Sequence, residues 1–291
     1  MRFILSILVV LSLTALLLFF GSDSHVSSAR VSAPAVKPSD TLKEITNSAT
    51  PTEVGEKLSY VASWSNFVAA GRLSMETQEA SDKSNLRFIA DFNPIGLVKS
   101  LYNVSHHYDS TVERTTLLPN QFIARTKEQT RSGPEEKESE VKFDQSKHVA
   151  KVDNKSITIA PQTYDYVSLL YAMRKLDLKD GKTYTLMGFD GKNNFTTEIE
   201  VLGRESVNVG EDSRKAIKVA LRYGKAKEKP SDEYEVRIWF SDDVAHVPLV
   251  ITANPPFGLV KAELRSATTN AKSAPSAPSE DKLKPQNESS G

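Results

Sequence analysis

Two small groups of side chains stand at spacings that invite a chemical reading: His106 and His107 with Asp109 close behind, and the paired carboxylates Asp242 and Asp243. Neighbouring residues of a strand point to opposite faces, so His106 and His107 cannot hold one ion together. His107 and Asp109 share a face, but they supply two ligands where a metal site needs a third. Two carboxylates in contact can share a proton and do acid–base work. Directly after a strand, adjacent Asp residues more often make a turn in which their side chains bind local backbone. Motifs of nucleophilic or phosphate chemistry are missing: the chain has no G-x-S-x-G elbow, no G-x-x-x-x-G-K-[ST] loop and no G-x-G-x-x-G. It has no cysteine, which rules out disulfides, thiolate metal sites and lipid attachment to a processed amino-terminal Cys. No catalytic residue, no cofactor and no metal ligand is expected. An enzyme would have to be assembled from dispersed residues such as Asp242 or Asp243.

The elements that would position these groups are short strands. Leu58, Tyr60, Ala62 and Trp64 alternate with polar neighbours, as do Leu86, Phe88, Ala90 and Phe92. Phe195, Thr197, Ile199 and Val201 repeat the pattern, followed by Ile217, Val219 and Leu221, and by Tyr234, Val236, Ile238 and Phe240. Further strands are expected near 70–79, 103–114, 121–129, 138–144, 147–152, 182–189, 247–253 and 258–266. Asp153-Asn154, Asp180-Gly181, Asp190-Gly191 and Val209-Gly210 supply turn chemistry. Connections this short favour antiparallel neighbours, and so many strands in one domain must curl or close to hide their edges. One segment has a different period. Tyr166, Leu169, Leu170 and Met173 stand at i, i+3, i+4 and i+7, with Asp165 placed to cap by accepting from Val167 or Ser168 N–H, and Arg174 and Lys175 at the carbonyl end. The spacing predicts a helix of about three turns over 164–175. The expected architecture is therefore mainly β: a curved antiparallel meander sheet, half-barrel or barrel-like, with that one helix packed on or in it.

The ends have another character. Phe3 to Phe20 is an unbroken apolar run of eighteen residues with Arg2 before it. That length fits a long signal h-region or a short spanning helix, so residues 1–29 are read as a signal peptide or a signal anchor. Either way the domain is placed outside the cytoplasm, in the periplasm or held at the inner membrane facing it. The membrane is met only through this segment, if it is retained. Residues 30–52 read as a flexible linker and 267–291 as a disordered tail, leaving 53–266 as the antiparallel β domain. Formal net charge is zero, which speaks against a general nucleic-acid binder. The charged runs Glu135-Glu136-Lys137-Glu138 and Lys225 to Lys229 read as solvated hairpin loops.

Three stretches together carry a family likeness: Gly55-Glu56-Lys57-Leu58-Ser59-Tyr60-Val61 running on to Gly71; Asp165-Tyr166-Val167-Ser168-Leu169-Leu170-Tyr171-Ala172-Met173-Arg174 with Leu178 and Gly181; and Ile238-Trp239-Phe240-Ser241-Asp242-Asp243 with Val247-Pro248-Leu249 and Gly258-Leu259-Val260. The ordered set resembles the bacterial exported family known as domain of unknown function 3108, over about 53–266. The resemblance implies a Gram-negative envelope protein with a curved sheet like the half-barrels of lipoprotein carriers. It brings no catalytic or binding residues. On this reading the first expectation is a non-enzymatic protein that binds a lipid or other amphipathic ligand, in a cavity lined by Tyr60, Trp64, Phe88 and Phe92. The rival is that these aromatics fill the interior. A second expectation is an interaction module that docks another envelope protein through an exposed edge or through Trp239, which alternation places away from the apolar face. A third is a hydrolase of envelope polymers using Asp242 or Asp243.

Overall fold

A computed structural model describes residues 38–65, 68–101, 103–130, 132–225, 231–254 and 258–269. The apolar leader, the start of the expected linker and all but the first residues of the expected tail lie outside the described residues. Fifteen strands among them form one sheet. They are β1 (Lys57–Trp64), β2 (Val68–Glu79), β3 (Asn85–Pro94), β4 (Val104–Glu113), β5 (Pro119–Thr130), β6 (Gly133–Asp144), β7 (Val149–Val152), β8 (Lys155–Thr158), β9 (Thr163–Tyr164), β10 (Thr183–Phe189), β11 (Asn194–Val209), β12 (Asp212–Lys225), β13 (Ser231–Ser241), β14 (Pro248–Ala253) and β15 (Val260–Thr268). The order is β8-β7-β6-β5-β4-β3-β2-β1-β15-β14-β13-β12-β11-β10-β9, two meanders joined where the first strand pairs with the last. Every pairing is antiparallel except β9 with β10. The two ends of the sheet are brought together by the short link from β8 to β9. There Asn194, at the start of β11, accepts from Ala160 N (3.1 Å) and donates to Thr158 O (2.9 Å). The sheet is thus rolled into a barrel-like wall.

Among the described side chains, the expected apolar faces turn inward. Leu58, Tyr60 and Ala62 are buried, as are Leu86, Phe88, Ala90 and Phe92, and Phe195, Thr197, Ile199 and Val201. Three helices among the described residues accompany the sheet: α1 (Pro38–Asn47), α2 (Gly96–Leu101) and α3 (Tyr166–Arg174). All nine residues of α3 are buried, so this helix runs inside the roll rather than on it. It is shorter than the three turns expected. Its cap is the expected one: Asp165 Oδ1 accepts from Val167 N (2.8 Å) and Ser168 N (3.0 Å). Ser168 Oγ answers by accepting from Asp165 N (3.1 Å), which completes a capping box.

Three features differ from the sequence reading. Part of the expected linker is the helix α1, which turns Thr41 and Ile45, one helical turn apart, into the protein. It is held by Glu44, whose Oε1 lies 3.2 Å from Lys182 Nζ and 2.9 Å from Tyr184 Oη. The run Glu135-Glu136-Lys137-Glu138 is not a loop but the exposed part of β6; of the run Lys225 to Lys229, residues 226–229 lie outside the described residues. The hairpin of β11 and β12 is also much longer than its neighbours. A bulge between Val201 and Gly203, with Gly203 at φ +133°, redirects it. Its tip then folds across the outer face of β14 and β15, where Gly210 N donates to Glu263 Oε1 (2.9 Å) and Val250 becomes buried.

Candidate functional site

The roll is wider than one helix can fill. Between α3 and the wall made by β1–β3 and β11–β15 lies an open apolar cleft of about 830 Å³, its mouth included. Tyr166, Leu169, Leu170 and Met173, the stripe that identified the helix, form one side. Phe195, Leu221, Tyr223, Val236, Ile238 and Ile251 face them, and the small side chains Ala62, Ala253 and Ala262 leave the floor shallow. The two tyrosine hydroxyls are the polar side-chain groups of this lining. Burial pushes the Tyr166 and Tyr223 hydroxyls well above the usual phenol range, so both stay neutral. A lining of this polarity suits an uncharged apolar group.

Aromatic rings continue the wall. Phe92 is followed by His106, Tyr108, Phe122, Tyr166, Phe195 and Tyr223, with successive centroids 5.5–6.4 Å apart. The row crosses β3, β4 and β5, steps onto α3 and leaves on β11 and β12. His106 is its one basic member. Its Nε2 is buried without a partner among the described residues, and burial pushes the imidazole down to about 4, so the ring is neutral.

Both ends of α3 are tied by buried polar groups. At the start, Ser110 Oγ donates to Asp165 Oδ2 (2.5 Å), and burial raises the Asp165 carboxyl above its ordinary value against the pull of these hydrogen bonds. At the end, Arg174 does not reach solvent as a dipole partner would. It makes a two-pronged pair with Glu56, Nη1 to Oε2 at 2.6 Å and Nη2 to Oε1 at 2.7 Å, and also donates to Ala245 O. The Tyr171 ring lies 5.3 Å from its guanidinium carbon.

Of the four residues expected to line a cavity, Phe92 does so. Tyr60 lies in the packed core, its hydroxyl donating to Pro248 O (2.9 Å). Phe88 is fully buried and stacked on Tyr171 at 3.8 Å. Trp64 is half-buried in a side cluster with Ala62, Ala70, Phe92 and Val98. Tyr60 and Phe88 are packed in the core, Phe88 directly against Tyr171 of α3, while Trp64 lies two residues past the lining Ala62, beyond a shift in register between β1 and β2. The lining from β11–β15 was visible as alternating strands, but nothing in the sequence told which strands would face the empty side.

Trp239 points outward as alternation required, yet it is half-covered. Its indole N–H donates to Glu205 Oε1 (2.6 Å) and Lys218 Nζ lies 5.2 Å from the ring centre. Asp242 and Asp243 have separate partners: Asp242 accepts from Arg204 Nε (3.1 Å), while Asp243 accepts from Ser241 Oγ (2.8 Å) and Ala245 N (2.9 Å). Asp243 is thus the turn residue expected of an Asp pair after a strand. His107 is paired with Asp91 (2.7 Å) and Asp109 with Arg87. Among the described residues no group of three His, Cys, Asp or Glu side chains is placed to hold a metal, and no helix is long and apolar enough to cross a membrane.

Among solved structures, the chain is similar to a β-barrel-like protein of domain of unknown function DUF1849 from Brucella abortus, with 13% identity and a TM-score of 0.50 over 75% of this chain and 99% of the other. More distant likenesses are a protein with a YmcC-like fold from Bacteroides fragilis, with 9% identity and a TM-score of 0.30 over 76% of this chain and 98% of the other, and the lipoprotein LppX of Mycobacterium tuberculosis, with 10% identity and a TM-score of 0.25 over 79% and 96%. Among curated proteins no relative matches. The first of these likenesses agrees with the barrel-like roll seen here and speaks of fold alone. The family described as protein of unknown function DUF3108 matches residues 59–265, which hold all three motif stretches but for the first four residues of the first, and the chain belongs to that family.

Proposed function

We propose that this protein is a non-enzymatic envelope protein that binds a lipid or other amphipathic ligand, with the apolar part of the ligand in the cleft beside α3. The observation that carries the reading is the lining: sixteen side chains, none of them charged, around an open cleft beside α3. Small-molecule sites are mostly apolar with few polar groups, and this lining lies at the polar-poor extreme. A charged head group has no partner inside and would stay at the mouth. The apolar run Phe3 to Phe20 supports export, to the periplasm or to the inner membrane with the domain facing the periplasm. Docking through Trp239 is the weaker reading, because Glu205 and Lys218 already occupy its N–H and its face.

The test is native mass spectrometry of the full chain recovered from an envelope fraction without detergent, with organic extraction of the same sample. A stoichiometric adduct that extracts as a lipid is expected. Ala262→Phe, which fills the floor of the cleft without removing a contact, should lose that adduct while remaining folded. A clean apo mass for the folded wild type, or an adduct untouched by Ala262→Phe, overturns the reading.

A further inference from the structure

Gly71 on β2 and Gly188 on β10 both face the lumen, and both have ordinary strand backbone that any residue adopts. Neither position needs glycine for its dihedral angles. Each needs it for a ring. A Cβ on Gly71 would overlap Cε2 and Cζ of Phe92, and a Cβ on Gly188 would overlap the outer atoms of Phe195. Gly188 is the direct cross-strand partner of Phe195, whereas Gly71 is diagonal to Phe92, whose own partner is Leu73. Both phenylalanines line the cleft, one from β3 and one from β11.

We propose that Gly71 and Gly188 keep the cleft open by letting Phe92 and Phe195 lie flat against the sheet. The importance of this for binding rests on the ligand reading above; the effect on the space itself does not. The geometry leaves one direction of escape. Each ring lies over its glycine, Asn93 O is 3.0 Å from the Gly71 Cβ position, and Tyr166, itself in the cleft lining, stacks on Phe195 with centroids 5.5 Å apart, so Phe195 leaves Gly188 only by pushing Tyr166 or its own edge into the cleft. A methyl group at either glycine therefore tips its ring into the lumen. Both rings border the same uncharged, apolar cleft, and the occupant we infer for it is an acyl chain.

The experiment measures two things on the full chain: shifts of the Leu169, Leu170 and Met173 methyl signals under xenon, which report open apolar volume, and fluorescence titration with cis-parinaric acid, an acyl probe. Gly71→Ala and Gly188→Ala are each expected to shrink the xenon shifts and weaken the probe roughly tenfold or more, the scale of overpacking by one methyl group. Gly71→Ala with Phe92→Leu, and Gly188→Ala with Phe195→Leu, should restore both signals. Single variants with wild-type xenon shifts overturn the proposal. So do paired variants that fold but take up no xenon, which also covers a single variant that fails to fold. A wild type that takes up xenon but not the probe sinks the acyl reading alone, and a wild type that takes up neither sinks both.

Discussion

Breaking the Glu56–Arg174 pair from one side should cost far more than removing it whole. Both side chains are almost out of water, with 7% and 5% of their surface exposed. Arg174 spends its donors on Glu56 and on Ala245 O, so in Glu56→Gln the guanidinium stays buried with a neutral partner. Removing one member of a buried pair costs about 3–5 kcal/mol, because the remaining charge keeps its desolvation penalty and loses its compensation. Arg174→Met should cost the same for the mirrored reason. Glu56→Leu with Arg174→Met removes attraction and penalty together, and apolar replacements of similar volume are often neutral. What remains is the Ala245 carbonyl without its donor, about 1–3 kcal/mol. Urea unfolding of the four proteins, followed by intrinsic fluorescence with the slope checked for constancy, gives the coupling directly. Single variants that each lose under about 1 kcal/mol, with an additive double variant, would refute the account and make the pair energetically equivalent to an exposed one.

Other consequences follow from the same groups. His106 titrates near 4 when folded and near 6.5 when unfolded, so its contribution is whole above about pH 6.5 and is lost as pH falls through 4, at most about 3 kcal/mol; His106→Phe should flatten that limb of the stability profile in urea titrations. Asp165 is shifted the opposite way, its folded carboxyl raised by burial, so its charge destabilises the fold as pH rises from about 3.9 through the folded value. Asp165→Asn keeps the cap and removes that slope, whereas Asp165→Ala also loses the cap, about 0.5–2 kcal/mol by thermal or urea midpoint. Phe88→Ala, at a fully buried ring stacked on Tyr171, should cost about 3–5 kcal/mol by unfolding without changing the volume of the cleft on the far side of α3.

The rolled sheet was legible because its strands are half-buried: a period of two marked Leu58 to Ala62, Leu86 to Phe92 and Phe195 to Val201, and each of those faces turned inward. The helix was legible from its stripe, and Asp165 from its place before it. The site was less so. Alternation tells inside from outside but not core from cavity, since Phe88 and Phe92 stand on one face of one strand and only α3 decides that the first is covered and the second faces space. Arg174 looked like a cation at a helix end, and its true partner is 118 positions away in sequence. The helix α1 was hidden because it presents few large apolar groups, Leu42 and Ile45, on a polar stretch. Trp239 was legible as pointing away from the apolar face, but its half-cover was not, because Glu205, its partner, is 34 positions away in sequence.

The cleft is held open by the fold itself, and with the proposed ligand this gives a last prediction. Eight strands already enclose an interior just wide enough for their own side chains. A longer roll needs filling, and here the filling is a single helix. Each further methylene buried would add about 0.8 kcal/mol, yet the floor carries Ala62, Ala253 and Ala262 and the wall carries Gly71 and Gly188. The space is also protected from collapse, because the Asp165–Ser110 and Arg174–Glu56 ties fix both ends of α3. Binding should then leave the helix where it is. In hydrogen exchange with and without cis-parinaric acid, the amides of α3 and those of β1, β3 and β12 should slow by the same factor, the global stabilisation set by ligand concentration over its dissociation constant. A selective loss of protection in Tyr166–Arg174 would mean that the helix is displaced to make room. The cleft would then be a consequence of loose packing, and its lining would no longer describe the ligand.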